Sequence, residues 1–516
     1  MPGLKPEPDS ESRRFDLVIW VCSIIALIVH FLTNSRYGYF RDELYYIACA
    51  RHPALGYVDL APLSALLLRI ELAIFGDSLF ALRLFPALAS AGTVWLTGVI
   101  ARQLGGRAWA ASLASIGSLS ALVFLALGNV YSMNIFEPLF WMGCAYCLIR
   151  IIQGGRQTWW LWFGALAGLG VENKHSIAFF GIGVVLALLL SPQRREFARA
   201  GIWFGGLIAL ALTLPNLIWQ IQHHWPTYEL LTNIAHSHKN VVLSPPEFLL
   251  QQMLILNPAT LPLWLGGLIW LFATTEGRHY RVLGFAYLIT LAEFIILHGK
   301  HSYLAPIYPI LFAAGGVAFE RWLAGTFRFV RPVYAAIMIL IAAILAPTVV
   351  PILPPEKLIA YMEAIHFTPP KTETSHTAAL PQLFADQFGW REMAASVGRA
   401  YTKLSPNDQR IVGIFCQDYG QAGAIDFFGK KYGLPPALSG HQNYFLWGPR
   451  GYSGDLLLVL DDNDRDEREQ FRSVQDLGPV ESSRWAMPSE QRQHIYLCRG
   501  LKKDLRQVWP TLKEWL

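Results

Sequence analysis

The chain has 516 residues, 53% of them hydrophobic and only 15% charged, with a mean hydropathy of +0.33. A soluble domain carries about 25% charge, so the balance argues against a soluble enzyme and against disordered or collagen-like chains. A net charge of +5 without a long Lys/Arg run offers no nucleic-acid footprint, and six cysteines at this length are no disulfide framework.

Crossing a hydrocarbon core of about 30 Å takes about 20 apolar residues. Apolar blocks recur near 17–33, 80–101, 109–127, 133–149, 158–172, 176–190, 200–220, 248–273, 282–298, 303–320 and 332–349, which predicts about eleven membrane helices. The first block lacks a cleavage-like small-residue site after it and reads as a retained anchor. The pair 158–172 and 176–190 is short for two full crossings; it reads as a hairpin with Glu172-Asn173-Lys174-His175 at its turn. Eighteen Trp and twenty Tyr suit two membrane–water interfaces.

Lys and Arg in short loops set orientation. With the N-terminal Lys5, Arg13 and Arg14 inside, Arg102, Arg107, Arg150, Arg156, Arg194, Arg195, Arg199, Arg278, Arg281, Arg321, Arg328 and Arg331 all fall on the same side. The opposite loops carry Lys174, Lys239 and Lys300 singly. Eleven spans then deliver the chain to the outer side near Pro351, Pro354 and Pro355. The remainder includes the charged run from Asp461 to Arg468 and three strand-like segments, 411–416, 455–460 and 494–499, with a Gly-rich turn and a helix from about Gln421. The expected architecture is an α-helical polytopic membrane protein, residues 1–350, followed by a small extracytoplasmic α/β domain, residues 351–516. Cys416 and Cys498 fall on expected strands of that domain, as a disulfide or as two buried thiols.

Charge at membrane depth is costly and points to function. On the expected outer side the long loop 34–79 holds Asp42-Glu43-Leu44-Tyr45-Tyr46 and Gly56-Tyr57-Val58-Asp59. Later outer turns hold Asn134 and Glu137, Lys174 and His175, His223 and His224, and Lys300, His301 and Tyr303. Carboxylates and fixed cations at that level suit an amphiphile with a phosphate head and an apolar tail. A lipid phosphate leaves as an anion, so it needs positive charge nearby rather than a general acid. An acceptor hydroxyl needs a carboxylate base.

These residues resemble the dolichyl-phosphate-mannose protein mannosyltransferase-like membrane glycosyltransferases of GT-C type, which include lipid A aminoarabinose transferases. The similarity runs over roughly residues 35–320. It rests on the Asp42 run, the Gly56-Tyr57-x-Asp59-x-x-Pro62-Leu63 stretch, the Gly76 to Arg83 stretch, Lys174 after a Gly-Leu-Gly helix end, and Tyr303, Pro306 and Pro309. The resemblance implies inverting transfer of a sugar from a polyprenyl-phosphate donor to a lipid, glycan or protein acceptor on the outer face of the plasma (inner) membrane. It puts the base at Asp42, with Glu43 beside it. It implies substrate binding by Tyr45, Tyr46, Asp59, Arg83, Asn134, Glu137, Lys174, His175, Lys300, His301 and Tyr303. Many members have an Asp in the second outer turn; this chain offers either Asn134 or Glu137 for that place.

Each residue also has a plain structural reading: a helix cap for Asp42 and Glu43, headgroup snorkelling for Arg83, a first-turn acid for Glu137. His223-His224 and His236-Ser237-His238 match no metal-ligand spacing. A divalent cation held by Asp42 or Glu43 with donor phosphate is the one cofactor left open. The alternative function, a transporter or flippase for a lipid-linked or anionic substrate, calls for inverted repeats and interrupted helices near the midplane.

Overall fold

The computed structural model describes residues 10–237, 241–368 and 378–516. Lys5, His238 and Lys239 lie outside the described residues. Packing divides the chain into two units that interleave in sequence: residues 1–34, 83–217 and 242–352 form one, and residues 35–82, 218–241 and 353–516 the other.

The first unit is helical, and every expected apolar block is helical over most of its length. Among the described residues seven helices are long and apolar enough to cross a membrane, nine when each of two bent pairs counts as one span. The difference from eleven lies in two blocks. The 109–127 block breaks at Ser120 and Ala121 into Ala108–Leu119 and Leu122–Leu127, and Trp159–Asn173 has only 15 residues. Two other blocks are interrupted rather than straight. The expected 248–273 span bends by 99° between Pro245–Ile255 and Pro258–Ala273, and Ile177–Leu189 turns by 104° into Pro192–Ala198.

Broken backbone inside an apolar unit needs new hydrogen-bond partners, and Asn257 supplies them. It sits at the 99° bend with φ +81°. Its Oδ1 accepts the Ala259 amide at 3.0 Å. Its Nδ2 donates to the carbonyls of Ser120, at the other break, and of Met338, at 3.4 and 3.1 Å. A carboxylate does similar work at the start of Ala108–Leu119: Glu320 Oε2 takes the Arg107 amide at 2.8 Å and Oε1 the Ala110 amide at 3.1 Å. Exposed N–H groups at a helix start favour that negative charge.

Small residues let these helices touch backbone to backbone. A Cβ on Gly315, in Tyr308–Trp322, would lie 1.9 Å from the Leu263 carbonyl oxygen of Leu261–Ala273. A Cβ on Gly267 would lie 2.2 Å from the Leu311 oxygen of the same pair.

The second unit carries a five-stranded mixed sheet. Its strands are β1 (Gly413–Cys416), β2 (Ala437–Leu438), β3 (Leu456–Asp461), β4 (Phe471–Pro479) and β5 (His494–Leu501), in the order β2-β1-β3-β5-β4. β1 runs parallel to β2 and β3, while β5 is antiparallel to β3 and β4. The three expected strands are β1, β3 and β5. β3 is central and buried along nearly its whole length, which its run of five apolar residues already signals. β2 is two residues long, and β4 is an edge strand with mostly exposed polar side chains; neither shows the alternation by which a strand is read. Cys416 stands opposite Leu460 and Cys498 opposite Leu457 on the two sides of β3. Two strand spacings are about 9.5 Å, beyond the reach of a disulfide, and both thiols are free and buried.

Loop 34–79 belongs to this unit from Ser35 onward. Its Arg41–Arg51 helix lies on the Tyr419–Phe428 helix, where a Cβ on Gly423 would come within 2.9 Å of the Leu44 carbonyl carbon. The Pro226–His236 helix holds the end of the chain, with Asn233 Nδ2 donating to the Trp515 carbonyl at 2.9 Å and Glu229 paired with Lys513 at 2.5 Å.

Gly315→Val should push the Leu261–Ala273 and Tyr308–Trp322 helices apart and destabilise the protein by about 1–3 kcal/mol. Thermal unfolding of the detergent-solubilised protein checks this; an unchanged melting temperature contradicts the backbone-to-backbone contact.

Candidate functional site

The expected site residues fall into two groups, one within each packing unit. In the second unit the group is built on the Arg41–Arg51 helix. Glu43 is its third residue, fully buried, and its carboxylate takes the Phe40 amide at 2.8 Å. That is the helix-start role of an N3 acid. Asp42, one residue earlier, is turned differently. Its side chain is 35% exposed, and its Oδ1 accepts the Tyr419 hydroxyl at 2.9 Å with the Arg41 Nε 3.5 Å away. Adjacent acids thus differ in presentation: Asp42 reaches solvent and Glu43 does not.

One turn on, Tyr45 is buried and donates to Asp59 Oδ1 at 2.6 Å. Asn443 donates from Nδ2 to the Tyr45 hydroxyl oxygen and accepts the Val58 amide on Oδ1 at 3.2 Å. Tyr45 and Tyr419 pack ring to ring at 4.7 Å, and His441 lies 4.8 Å from the Tyr419 ring. Burial, with Asp59 beside one and Asp42 beside the other, pushes both phenols well above their ordinary value of 10.0. Both therefore stay protonated and act as donors to carboxylates. Tyr46 is buried in the same helix.

Tyr419, His441 and Asn443 are the site residues the sequence did not single out. Asp418 fixes Tyr419 at the first position of its helix by accepting the Gly420 and Gln421 amides at 2.6 and 2.9 Å. The sequence shows that point only as a Gly-rich turn.

In the first unit Lys174 gathers three other expected residues. Its Nζ donates to Asn134 Oδ1 at 2.8 Å and Glu137 Oε2 at 2.9 Å, and it stands 3.8 Å from the centroid of the Tyr303 ring. Ser176 donates to the other Glu137 oxygen. The Lys174 and Glu137 side chains are only 8% and 3% exposed. Both Asn134 and Glu137 thus reach the same ammonium group. His175 pairs with Asn216 Oδ1 at 3.3 Å. Lys300 is half-buried at the start of the His301–Ile307 turn, and the buried His301 accepts Gln252 Nε2 on its carbonyl at 3.0 Å. Arg83 is fully buried, with Nη1 donating to the Asn34 carbonyl at 3.0 Å.

Among the described residues no group of three or more His, Cys, Asp or Glu side chains is placed to hold a metal ion. His223 and His236 take local backbone partners, the Trp219 and Thr232 carbonyls, each at 2.8 Å.

Fold and residues together define a polytopic helical membrane protein with the GT-C glycosyltransferase fold and a small C-terminal sheet. Residues 59–219 match the family described as dolichyl-phosphate-mannose-protein mannosyltransferase. The chain is similar to undecaprenyl phosphate-alpha-4-amino-4-deoxy-L-arabinose arabinosyl transferase 1 of Pseudomonas fluorescens (strain Pf0-1), 25% identical over 169 residues, covering 31% of this chain and 28% of that one. It is also similar to the lipid A galacturonosyltransferase RgtD of Rhizobium johnstonii, 27% identical over 203 residues, covering 38% of this chain and 42% of the relative. The matched stretches thus span less than half the length of either relative. The crystal structure of ArnT from Cupriavidus metallidurans bound to undecaprenyl phosphate superposes with a TM-score of 0.61 at 13% identity, over 93% of this chain and 97% of that one.

Removing one partner of a buried ion pair costs about 3–5 kcal/mol, while replacing both by apolar groups is often near neutral. Lys174→Met should therefore lower stability by about that amount, and K174M/E137M should regain most of it, measured as thermal unfolding in detergent. Equal losses in the single and double variants contradict a buried, coupled pair.

Proposed function

We propose that this protein is an integral membrane glycosyltransferase that moves a sugar from a polyprenyl-phosphate donor to a hydroxyl of a lipid, glycan or protein acceptor, with inversion. The observation that carries the reading is Asp42: a carboxylate partly open to solvent, with one oxygen held by Tyr419, next to a second, partly buried Tyr–Asp pair. The acceptor oxygen attacks the anomeric carbon as the bond from that carbon to the phosphate oxygen breaks. The electron pair stays on the phosphate oxygen, the polyprenyl phosphate departs as the dianion, and the acceptor proton passes to Asp42. No general acid is required; positive charge at the departing phosphate is.

Glu43, buried and capping its helix, suits a supporting role for Asp42. Tyr45, Tyr46, Asp59, Arg83, Asn134, Glu137, Lys174, His175, Lys300, His301 and Tyr303 are the proposed substrate-binding residues. The names of the similar proteins support the donor and acceptor classes: one transferase acts with undecaprenyl-phosphate-linked aminoarabinose, another on lipid A, and the superposed ArnT structure holds undecaprenyl phosphate. The skewed loop arginines support an orientation with Asp42 and residues 351–516 on the extracytoplasmic side, and the proposed location is the plasma (inner) membrane.

Asp42→Asn should insert and fold normally and lose transfer by about 10²–10⁴-fold. Mass spectrometry of envelope glycolipids and glycoproteins from cells with, without and with variant protein identifies the product and measures the loss. Full product in the Asp42→Asn strain overturns Asp42 as base. An unchanged envelope and unchanged polyprenyl-phosphate-sugar pool on deletion overturn the transferase reading itself.

A further inference from the structure

The residues that orient Asp42 and Asp59 come from the far end of the chain, 377 and 398 positions away from their partners on the Arg41–Arg51 helix. We propose that Tyr419 is a positioning residue of the transfer reaction, fixing the Asp42 carboxylate so that Oδ2 is the oxygen presented to the acceptor, and that the C-terminal α/β region in this way completes the site. The inference rests on the reading of Asp42 as the base and adds a second residue to it.

Tyr419 is held from every side that matters. Asp418 caps its helix, so its backbone is fixed at the helix start. Its amide donates to His441 Nδ1 at 3.3 Å, and its ring packs against those of Tyr45 and His441. A Cβ on Gly420 would meet the Arg41 side chain at 2.4 Å, and one on Gly423 the Leu44 backbone at 2.9 Å, so the helix bearing Tyr419 packs closely on the helix bearing Asp42. The phenol therefore has little freedom, and its hydroxyl donates to Asp42 Oδ1.

A carboxylate on an exposed first helical turn otherwise samples several rotamers. A general base must meet its proton within hydrogen-bond reach, about 2.6–3.2 Å. Tyr419, with Arg41 3.5 Å from the same oxygen, engages Oδ1, which leaves Oδ2 as the oxygen to meet the acceptor. Asn443 does the same for the neighbouring pair, since its amide group spans the Tyr45 hydroxyl and the Val58 amide and so fixes Asp59 through Tyr45. A Tyr in place of Phe at a packed ring position is what such a task needs: the ring alone would fill the space, and only the hydroxyl reaches the carboxylate.

Tyr419→Phe removes that hydroxyl and keeps the ring. The test compares wild type, Y419F, D42N and Y419F/D42N in membrane vesicles. Turnover is read as undecaprenyl phosphate released from undecaprenyl-phosphate-linked aminoarabinose and from the donor that the envelope comparison identifies. In the otherwise native protein Y419F should lower kcat about ten-fold with KM changed less than two-fold. On the residual D42N activity it should have less than a two-fold effect, because the residue through which it acts is gone. An equal fold loss in both backgrounds, or wild-type kcat in Y419F, overturns the proposal. A structural role shows as less inserted protein with unaltered kcat per molecule, which overturns it as well. D42N with wild-type turnover overturns the base assignment, a result the Y419F comparison alone would not give.

Discussion

Lys174 and Glu137 stand 2.9 Å apart with almost no exposed surface, and neither ion would tolerate that burial alone. The same constraint shapes the rest of the molecule. A polar group withdrawn from water persists only where another chain segment brings it a partner. Arg83 finds the Asn34 carbonyl, Glu43 the Phe40 amide, Tyr45 the Asp59 carboxylate, Glu320 the first amides of a neighbouring helix. Each pairing joins a charged or hydroxylated side chain to a particular place in the fold. The candidate site grows out of these pairings, because the residues that must be matched are also the ones able to bind or move protons.

Close helix contact is the second requirement. Gly267 with Gly315 in one unit, and Gly423 against the Leu44 backbone in the other, leave no room for a methyl group between backbones. The first pair brings together helices of an apolar bundle. The second sets the distance from Asp42 to Tyr419, so a packing feature controls a chemical one. Asn257 shows how the bundle tolerates interruption: one amide side chain serves its own turn and the carbonyls of two other segments.

Much of the helical unit was legible in the sequence, since a segment apolar on all sides can only be buried or face lipid. The blocks from 17 to 349 are therefore helical, and β1, β3 and β5 follow from apolar runs. The breaks at Ser120 and Asn257 were not legible, because an apolar block that bends looks the same as one that runs straight. β4 was hidden by its polar edge-strand composition and β2 by its two-residue length. The convergence of Asn134, Glu137, Lys174 and Tyr303 was only half legible: their residue types marked them, but not that one ammonium group would hold both Asn134 and Glu137.

The sequence by itself determined a membrane-embedded helical chain, a terminal α/β region, and a short set of acids and lysines that composition could not explain. It also marked Asp42 and Glu43, with the base put at Asp42 by resemblance alone, since nothing in the two adjacent acids themselves tells their surroundings apart. Only the tertiary structure gave them different surroundings, because exposure depends on what packs against a helix: Glu43 is buried on the Phe40 amide at its own helix start, and Asp42 is partly exposed and held by a phenol. Only the tertiary structure, too, could bring in Tyr419 and Asn443. Uncharged residues nearly 400 positions from the motif carry no signal in composition or spacing, and their part is decided by which surfaces meet when the chain folds.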